Sequence, residues 1–115
     1  MNFRFAFVFA GSLAASSLAY GYELTNHEIS LIHTGFAAEA QVGDLKAAET
    51  DGNVLVCGKV NAKNQFGQYM GETLFSGALM GKGDDAATFV ILNAGTNPTD
   101  EKANELLCRQ HGISF

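Results

Sequence analysis

Apolar and polar residues alternate along the segment between positions 53 and 63, which reads NVLVCGKVNAK. This alternation predicts a β-strand, because successive side chains of a strand point to opposite faces of a sheet. The face that we expect to meet the core carries Val54, Val56, Gly58, Val60 and Ala62. The other face begins with Leu55 and Cys57 and ends with Lys63, so it should be covered at one end and solvated at the other.

Two further β-rich runs, ETLFSGALM and ATFVILNAG, follow this strand and are separated by GKGDDA. The Gly81-Lys82-Gly83 tripeptide lacks the strand and helix context of a phosphate-binding loop, so we interpret it as a hairpin turn. The three runs together predict an antiparallel meander. ATFVILNAG is apolar enough to be either a buried central strand or an exposed edge strand. For residues 41–52 the pattern leaves open both a short strand and a helical turn around Leu45.

Helix-start signals occur on both sides of the meander. Thr25 is followed three residues later by Glu28, which is the spacing of a capping box. An apolar stripe at helical spacing then follows, formed by Ile29, Ile32, Phe36, Ala37 and Ala40. The fold predicted from these patterns is α+β, a small antiparallel meander of three to four strands packed with an N-terminal and a C-terminal helix.

The C-terminal helix has clear limits in the sequence. Asn97 can cap its start, Pro98 suits its first position, and Gly112 is a plausible stop. Its apolar side would be formed by Ala103, Leu106 and Leu107.

The first residues have the layout of a secretory signal sequence. Arg4 supplies the positive charge, an apolar run extends from about Phe5 to Leu13, and Ser17 and Ala19 fit a signal peptidase site. The apolar run is shorter than the roughly 20 residues of a spanning helix, which disfavours a membrane anchor. We therefore expect cleavage after Ala19, with Gly21 as the alternative. The mature protein, residues 20–115, would be a single small domain in the periplasm or outside the cell, without membrane insertion.

Two cysteines, Cys57 and Cys108, lie in the mature chain. In an oxidising compartment such a pair predicts a disulfide, which here would close a loop of about 50 residues and contribute on the order of 4 kcal/mol. The alternative is a metal-binding or redox pair. It is disfavoured because neither cysteine belongs to a CxxC motif and no histidine lies at ligand spacing from them. We expect neither a metal nor a cofactor.

The chain carries a formal net charge of −5, its acidic residues are scattered, and it has no basic run. A net acidic domain of this kind is a poor candidate for binding nucleic acid or anionic lipid. Its expected partners are therefore a protein or another component of the envelope.

The stretch VCGKVNAKNQFGQYMGETLF, residues 56–75, has the least generic composition. The chain should reverse through residues 64–67 and re-enter the sheet at about Glu72, because asparagine and glycine tolerate positive φ. Two aromatic residues in such a reversal either fold back to cap the core or form a contact surface with a polar rim. Both interpretations remain open. The candidate binding residues are Asn61, Lys63, Asn64, Phe66, Gly67 and Tyr69.

This stretch resembles a pattern in small exported proteobacterial proteins of unassigned function, in which a CGxVNAKNxFGxYxG-like motif precedes a second cysteine near the C-terminus. Here residues 57–71 carry the motif, and Cys108-Arg109 fits the second cysteine. The sequence departs from the pattern at Met70, where a small polar residue is expected, and it lacks an aspartate-proline turn before the strand. The resemblance implies a small exported α+β domain and brings no catalytic role with it.

The function that we expect is that of a non-catalytic binding or accessory module of the bacterial envelope, acting through residues 61–75. A related alternative is an inhibitor or immunity-type protein that plugs an enzyme cleft. A small hydrolase is less expected, because Ser30 and Ser76 lie outside a nucleophile-elbow context. The adjacent carboxylates Asp84-Asp85 and Asp100-Glu101 are explained by a turn and a helix start. We therefore predict that the protein is not an enzyme.

The signal-sequence interpretation predicts the mass of the exported protein. Intact mass spectrometry of protein recovered after export should show a chain that begins at Tyr20, or at Tyr22 if cleavage follows Gly21. An exported chain that still contains residues 1–19 would contradict this prediction.

Overall fold

Four strands form one antiparallel sheet, and each strand lies beside the strand that follows it in the chain. The computed structural model describes residues 21–115, so the expected signal sequence at positions 1–19 lies outside the described residues. The predicted α+β meander with two helices is confirmed. A short 3₁₀ helix, Gly83–Asp85, precedes the last strand. The other elements are α1 (Asn26–Thr34), β1 (Gln41–Thr50), β2 (Asn53–Lys63), β3 (Tyr69–Met80), β4 (Thr88–Asn93) and α2 (Pro98–Gln110).

The segment that the sequence left undecided is strand β1 at one edge of the sheet. It pairs with β2 over its whole length, with a register shift between Val42 and Leu45. Asp51 and Gly52 then turn the chain into β2 with φ values of 52° and 83°. Positive φ at both positions is what a two-residue type I′ hairpin turn requires.

The valine face of β2 meets the main core, as its alternation predicts. Val54 and Val56 are fully buried there beside Phe75 of β3, and α1 covers this face through its buried Ile32. Phe36, just after α1, packs edge-on against Phe75 with ring centroids 4.9 Å apart. Burial of these large side chains is the main driving force for placing α1 on this face.

Helix α1 ends at Thr34, earlier than the stripe through Ala40 predicts. Gly35 follows it, and a Cβ atom at this position would lie 2.7 Å from the Phe89 ring. The absence of a side chain therefore lets the helix end approach β4 closely. Phe36 and Ala40 still pack against the core although they lie outside the helix. Ala37, another member of the stripe, is exposed. The stripe therefore marked the buried side only in part, and its continuation as a helix was wrong.

The capping box predicted at Thr25 and Glu28 is confirmed, and the Glu28 carboxylate is also fully buried. One oxygen accepts the Thr25 N–H at 2.8 Å. The other accepts the Tyr22 hydroxyl and the Gly83 N–H, both at 2.7 Å. Burial alone would raise the pKa of Glu28, but these donors outweigh it and hold the pKa below its usual value. Burial and the Glu28 carboxylate raise the pKa of Tyr22.

The opposite face of the sheet carries α2 and the predicted disulfide, which is confirmed. Cys57 and Cys108 are joined across a Cα–Cα distance of 6.3 Å, and both are buried. The chain leaves α2 through Gly112, whose φ is 82°. The N–H of Ile113 returns to the carbonyl of Cys108 at 2.9 Å, which is the bond of a Schellman motif. Ile113 is buried beside the disulfide and completes a second, smaller core.

The side of α2 that faces the sheet is not the apolar side that the sequence predicted. Ala103 and Leu106 are exposed and Leu107 is only partly buried, whereas Asn104 and Cys108 are the buried residues of the helix. Hydrophobic periodicity assigns asparagine, a polar residue, to the solvent-facing side of a helix. The assignment was wrong for Asn104 because its side chain forms hydrogen bonds with the sheet.

Asn104 occupies the place where β4 stops pairing with β3. The last pair of these strands joins Ser76 to Asn93, so no strand of the described residues pairs with the backbone of Leu74 on this side. The Asn104 side-chain amide donates to the carbonyls of Leu74 at 2.8 Å and Asn93 at 3.1 Å, and it accepts the Ser76 hydroxyl at 2.7 Å. The Glu101 carboxylate accepts the Leu74 N–H at 3.0 Å. Side chains of α2 thus continue the hydrogen bonding of the sheet.

Replacement of Asn104 should be among the most damaging single changes in α2. Asn104→Ala removes the side-chain partner of the buried Leu74 carbonyl, the partly buried Asn93 carbonyl and the buried Ser76 hydroxyl, so we expect a loss of about 2–4 kcal/mol in the free energy of unfolding. Ser76→Ala removes one of the same bonds and should cost about 1 kcal/mol. Urea denaturation of the oxidised protein measures both values. Equal and small losses in the two variants would contradict the assigned role of Asn104.

The depressed pKa of Glu28 predicts a pH dependence of stability. Since the folded-state pKa lies below the unfolded one, this contribution is complete above the unfolded value of about 4.3 and is lost as pH falls through the folded value. Urea denaturation across the acidic range should show a flatter pH profile for Glu28→Gln than for the parent protein. Glu105→Gln, which changes an exposed carboxylate in α2, serves as the control and should retain the parent's slope.

Candidate binding site at the β2–β3 hairpin

The hairpin formed by β2 and β3 projects beyond its neighbouring strands. Pairing of β1 with β2 stops at Asn61, and pairing of β4 with β3 stops at Ser76. Residues 62–71 therefore form a two-stranded ribbon that no other strand in the described part of the chain flanks. β3 begins at Tyr69, three residues before the predicted re-entry at Glu72, so the ribbon is longer and its turn tighter than expected.

The turn at the end of the ribbon is organised by Asn64. Its backbone N–H donates to the Gln68 carbonyl at 2.8 Å, and its carbonyl accepts the Gly67 N–H at 3.0 Å. Its side-chain oxygen accepts the N–H groups of Phe66 at 2.8 Å and Gln68 at 3.1 Å. Gly67 has a φ of 79°, which an L-residue with a side chain rarely adopts. The turn is thus held by bonds within itself.

The aromatic residues of the turn do not fold back onto the core. Phe66 is 78% exposed, Met70 is 67% exposed and Tyr69 is 43% exposed. The Tyr69 hydroxyl donates to the Glu39 carbonyl at 2.8 Å, which fastens the ribbon to the segment before β1. The ammonium group of Lys63 lies 5.2 Å from the centre of the Tyr69 ring, within the range of a cation–π contact.

Five of the six residues that the sequence singled out lie in this ribbon, Asn61 lies at its base, and the six divide into two groups. Asn61, Asn64 and Gly67 shape the backbone, and the Asn61 side chain accepts the Gly71 N–H at 3.0 Å. The residues whose side chains face the solvent are Lys63, Phe66 and Tyr69. We name these three residues together with Met70 the tip surface. Tyr69 and Met70 are consecutive residues of β3, so their side chains leave opposite faces of the ribbon.

Met70 was not among the candidate residues, yet it contributes one of the most exposed apolar side chains. The Asn64 side-chain amide contacts its sulfur at 3.2 Å. One sequence signal could have identified Met70. It is the position of the motif at which methionine replaces the expected small polar residue. Methionine is flexible and polarisable, and it adapts well to the surface of a partner.

A cavity of about 370 Å³ lies away from the turn, and α2, Lys59 of β2 and the C-terminal Phe115 line it. Its two carboxylates already have partners. Glu101 accepts the Leu74 N–H, and Glu105 forms an ion pair with Lys102 at 3.3 Å. Within residues 21–115, no three histidine, cysteine or acidic residues are grouped so that they could hold a metal ion.

No protein-family model matches this chain, and no curated protein and no solved structure is significantly similar to it. The function proposed below therefore rests on the geometry of the hairpin and the chemistry of its side chains.

The role of Asn64 predicts a local change in amide exchange. In Asn64→Ala the amides of Phe66 and Gln68 lose their acceptor, so their hydrogen exchange should become several-fold faster while that of β2 and β3 stays unchanged. Gln65→Ala is the matched control, because no hydrogen bond in the described part of the chain involves the Gln65 side chain. Identical exchange in the two variants would show that Asn64 does not organise the turn.

Proposed function

We propose that the protein is an exported, non-catalytic binding module of the bacterial envelope that contacts a partner protein or envelope component through the tip surface. The observation that carries the proposal is the exposure of Phe66, Tyr69 and Met70 on a turn that Asn64 already organises. Large apolar side chains in water are costly unless a partner covers them.

The chemistry of the tip surface suits recognition of another protein. Aromatic side chains are the commonest energetic anchors of protein interfaces, and methionine is enriched there as well. Lys63 adds a cation beside the ring of Tyr69 and would contribute to the polar rim. A turn that is organised before binding loses less conformational entropy when it associates, which favours affinity.

An exported location is compatible with two observations on the described residues. The Cys57–Cys108 disulfide is a type of bond that persists in oxidising compartments. Within residues 21–115 no helix is long and apolar enough to cross a membrane. We assign the protein to the periplasm or the extracellular space as part of the same proposal, together with the expected signal sequence.

The shape of the ribbon favours one form of this function, an inhibitor or immunity-type protein. A ribbon that projects past both neighbouring strands is convex, and it presents Phe66 at its end. A convex tip is complementary to a concave site such as an enzyme cleft. The partner in this form would be an enzyme whose activity the protein blocks.

Site-specific photo-crosslinking in the producing cells tests the proposal. A benzophenone amino acid at position 66 should give a defined crosslinked product, because its side chain would lie in the interface. The same amino acid at position 106, an exposed apolar site on α2, is the control and should not give that product. The absence of a product specific to position 66 would contradict the proposal.

The isolated partner then allows a quantitative prediction. Phe66→Ala should weaken binding at least about tenfold, as expected for the loss of an aromatic anchor, whereas Leu106→Ala should leave the affinity unchanged. Circular dichroism verifies that both variants stay folded. If the partner is an enzyme, loss of its activity on adding the parent protein, and not on adding Phe66→Ala, identifies the inhibitor form.

A further inference from the structure

The two edges of the sheet are protected to different degrees. The β1 edge has a register shift, carries Asp44, Lys46 and Glu49, and is partly covered by Tyr22, whose N–H donates to the Ala47 carbonyl at 3.1 Å. Charges, irregular register and a covering segment are the usual means of preventing an edge strand from pairing. β4 also has a register shift, between Ile91 and Asn93, but it has none of the charges, because residues 86–99 contain no charged side chain.

The hydrogen bonds of β3 establish which backbone groups of β4 point outward. The N–H and C=O of Leu74 meet side chains of α2 on the β4 side, and the Met80 carbonyl accepts the Ala87 N–H on that same side. Ala78 shares their even position in β3 and therefore also directs its backbone to β4. Ala78 lies opposite Val90, so Val90 directs its own backbone back to β3.

The neighbours of Val90 then direct their backbone groups away from the sheet. The N–H and C=O of Phe89 and Ile91 lie along the free edge, and within residues 21–115 no side chain or loop forms a hydrogen bond with them. Val90 and Leu92, on the α2 side of the sheet, are 45% and 56% exposed. The edge thus combines open backbone groups with exposed apolar side chains.

We propose that this edge pairs with the β4 edge of a second copy of the same chain, joining two sheets into one across a twofold axis at Val90. In this register Phe89 of one copy lies opposite Ile91 of the other, so the outward N–H and C=O groups form a reciprocal pair of hydrogen bonds on each side of the axis. A twofold dimer uses the same surface on both copies.

The side chains favour a second copy as the occupant. Val90 would face Val90 of the other copy, and Phe89 would face Ile91, so the cross-strand pairs nearest the axis are apolar and include an aromatic–β-branched pair. Two copies of an acidic protein repel one another at long range, but residues 86–99 bring no like charges together at the edge. The β1 edge could not pair with itself in this way without placing charged residues in the junction.

Sedimentation measurements on the oxidised protein across the micromolar to millimolar range test the proposal. The parent protein should form a dimer at the upper concentrations. Val90→Lys places two ammonium groups opposite each other at the axis, so the dimer should be lost at concentrations where the parent forms it. Leu106→Lys adds the same charge at an exposed apolar position on α2 and should leave the dimer intact. A parent protein that stays monomeric overturns the proposal. The β4 edge would then be available to pair with a strand of a different protein.

Cysteine crosslinking tests the register. The Cα atoms of a non-hydrogen-bonded antiparallel pair lie about 4.5 Å apart, which is within disulfide range. Val90→Cys should therefore form a covalent dimer readily under mild oxidation. Thr88→Cys, on the same strand but away from the axis, should not, because it would face Leu92 of the other copy. Equal crosslinking at the two positions, or none at either, would contradict the register.

Discussion

The fold depends on a buried amide at the point where the sheet stops pairing. β4 ends at Asn93 while β3 continues, so the backbone of Leu74 needs partners from outside the sheet. Glu101 and Asn104 supply them from α2, and one turn later Cys108 meets its disulfide partner in β2. An apolar helix face tolerates several orientations on a sheet, whereas buried hydrogen bonds are satisfied in one. This contact fixes α2 across one face, and α1 and the main core complete the other.

Two parts of the sheet remain without neighbours among residues 21–115 once both faces are fixed. The ribbon beyond Asn61 presents aromatic side chains and a cation, whereas the outer edge of β4 presents backbone groups flanked by uncharged side chains. They lie about 30 Å apart along β3 at the usual rise per residue of a strand, so both could be occupied together. A dimer through β4 would carry two tip surfaces, and a partner with two sites would then bind with higher avidity.

Signals that are local in the sequence predicted the structure well, and non-local partners explain the errors. The alternation at Val54 and the capping box at Thr25 depend on neighbouring residues only, and both are confirmed. The register shift beside Gly43 interrupts the alternation of β1, which left that segment undecided. The face of α2 was misjudged because the partners of Asn104 come from strands distant in the sequence. The exposure of Phe66 depends on where β1 and β4 end, which composition does not reveal.

The proposed function requires a tip surface that is organised before any partner binds. Backbone ¹⁵N relaxation of the oxidised protein, free in solution, tests it most directly. We expect order parameters for residues 64–70 close to those of the flanking strands, about 0.85, because the turn is held by the bonds of Asn64 and by the Tyr69–Glu39 contact. Values below about 0.6 across these residues would mean a flexible loop and would contradict the proposed function.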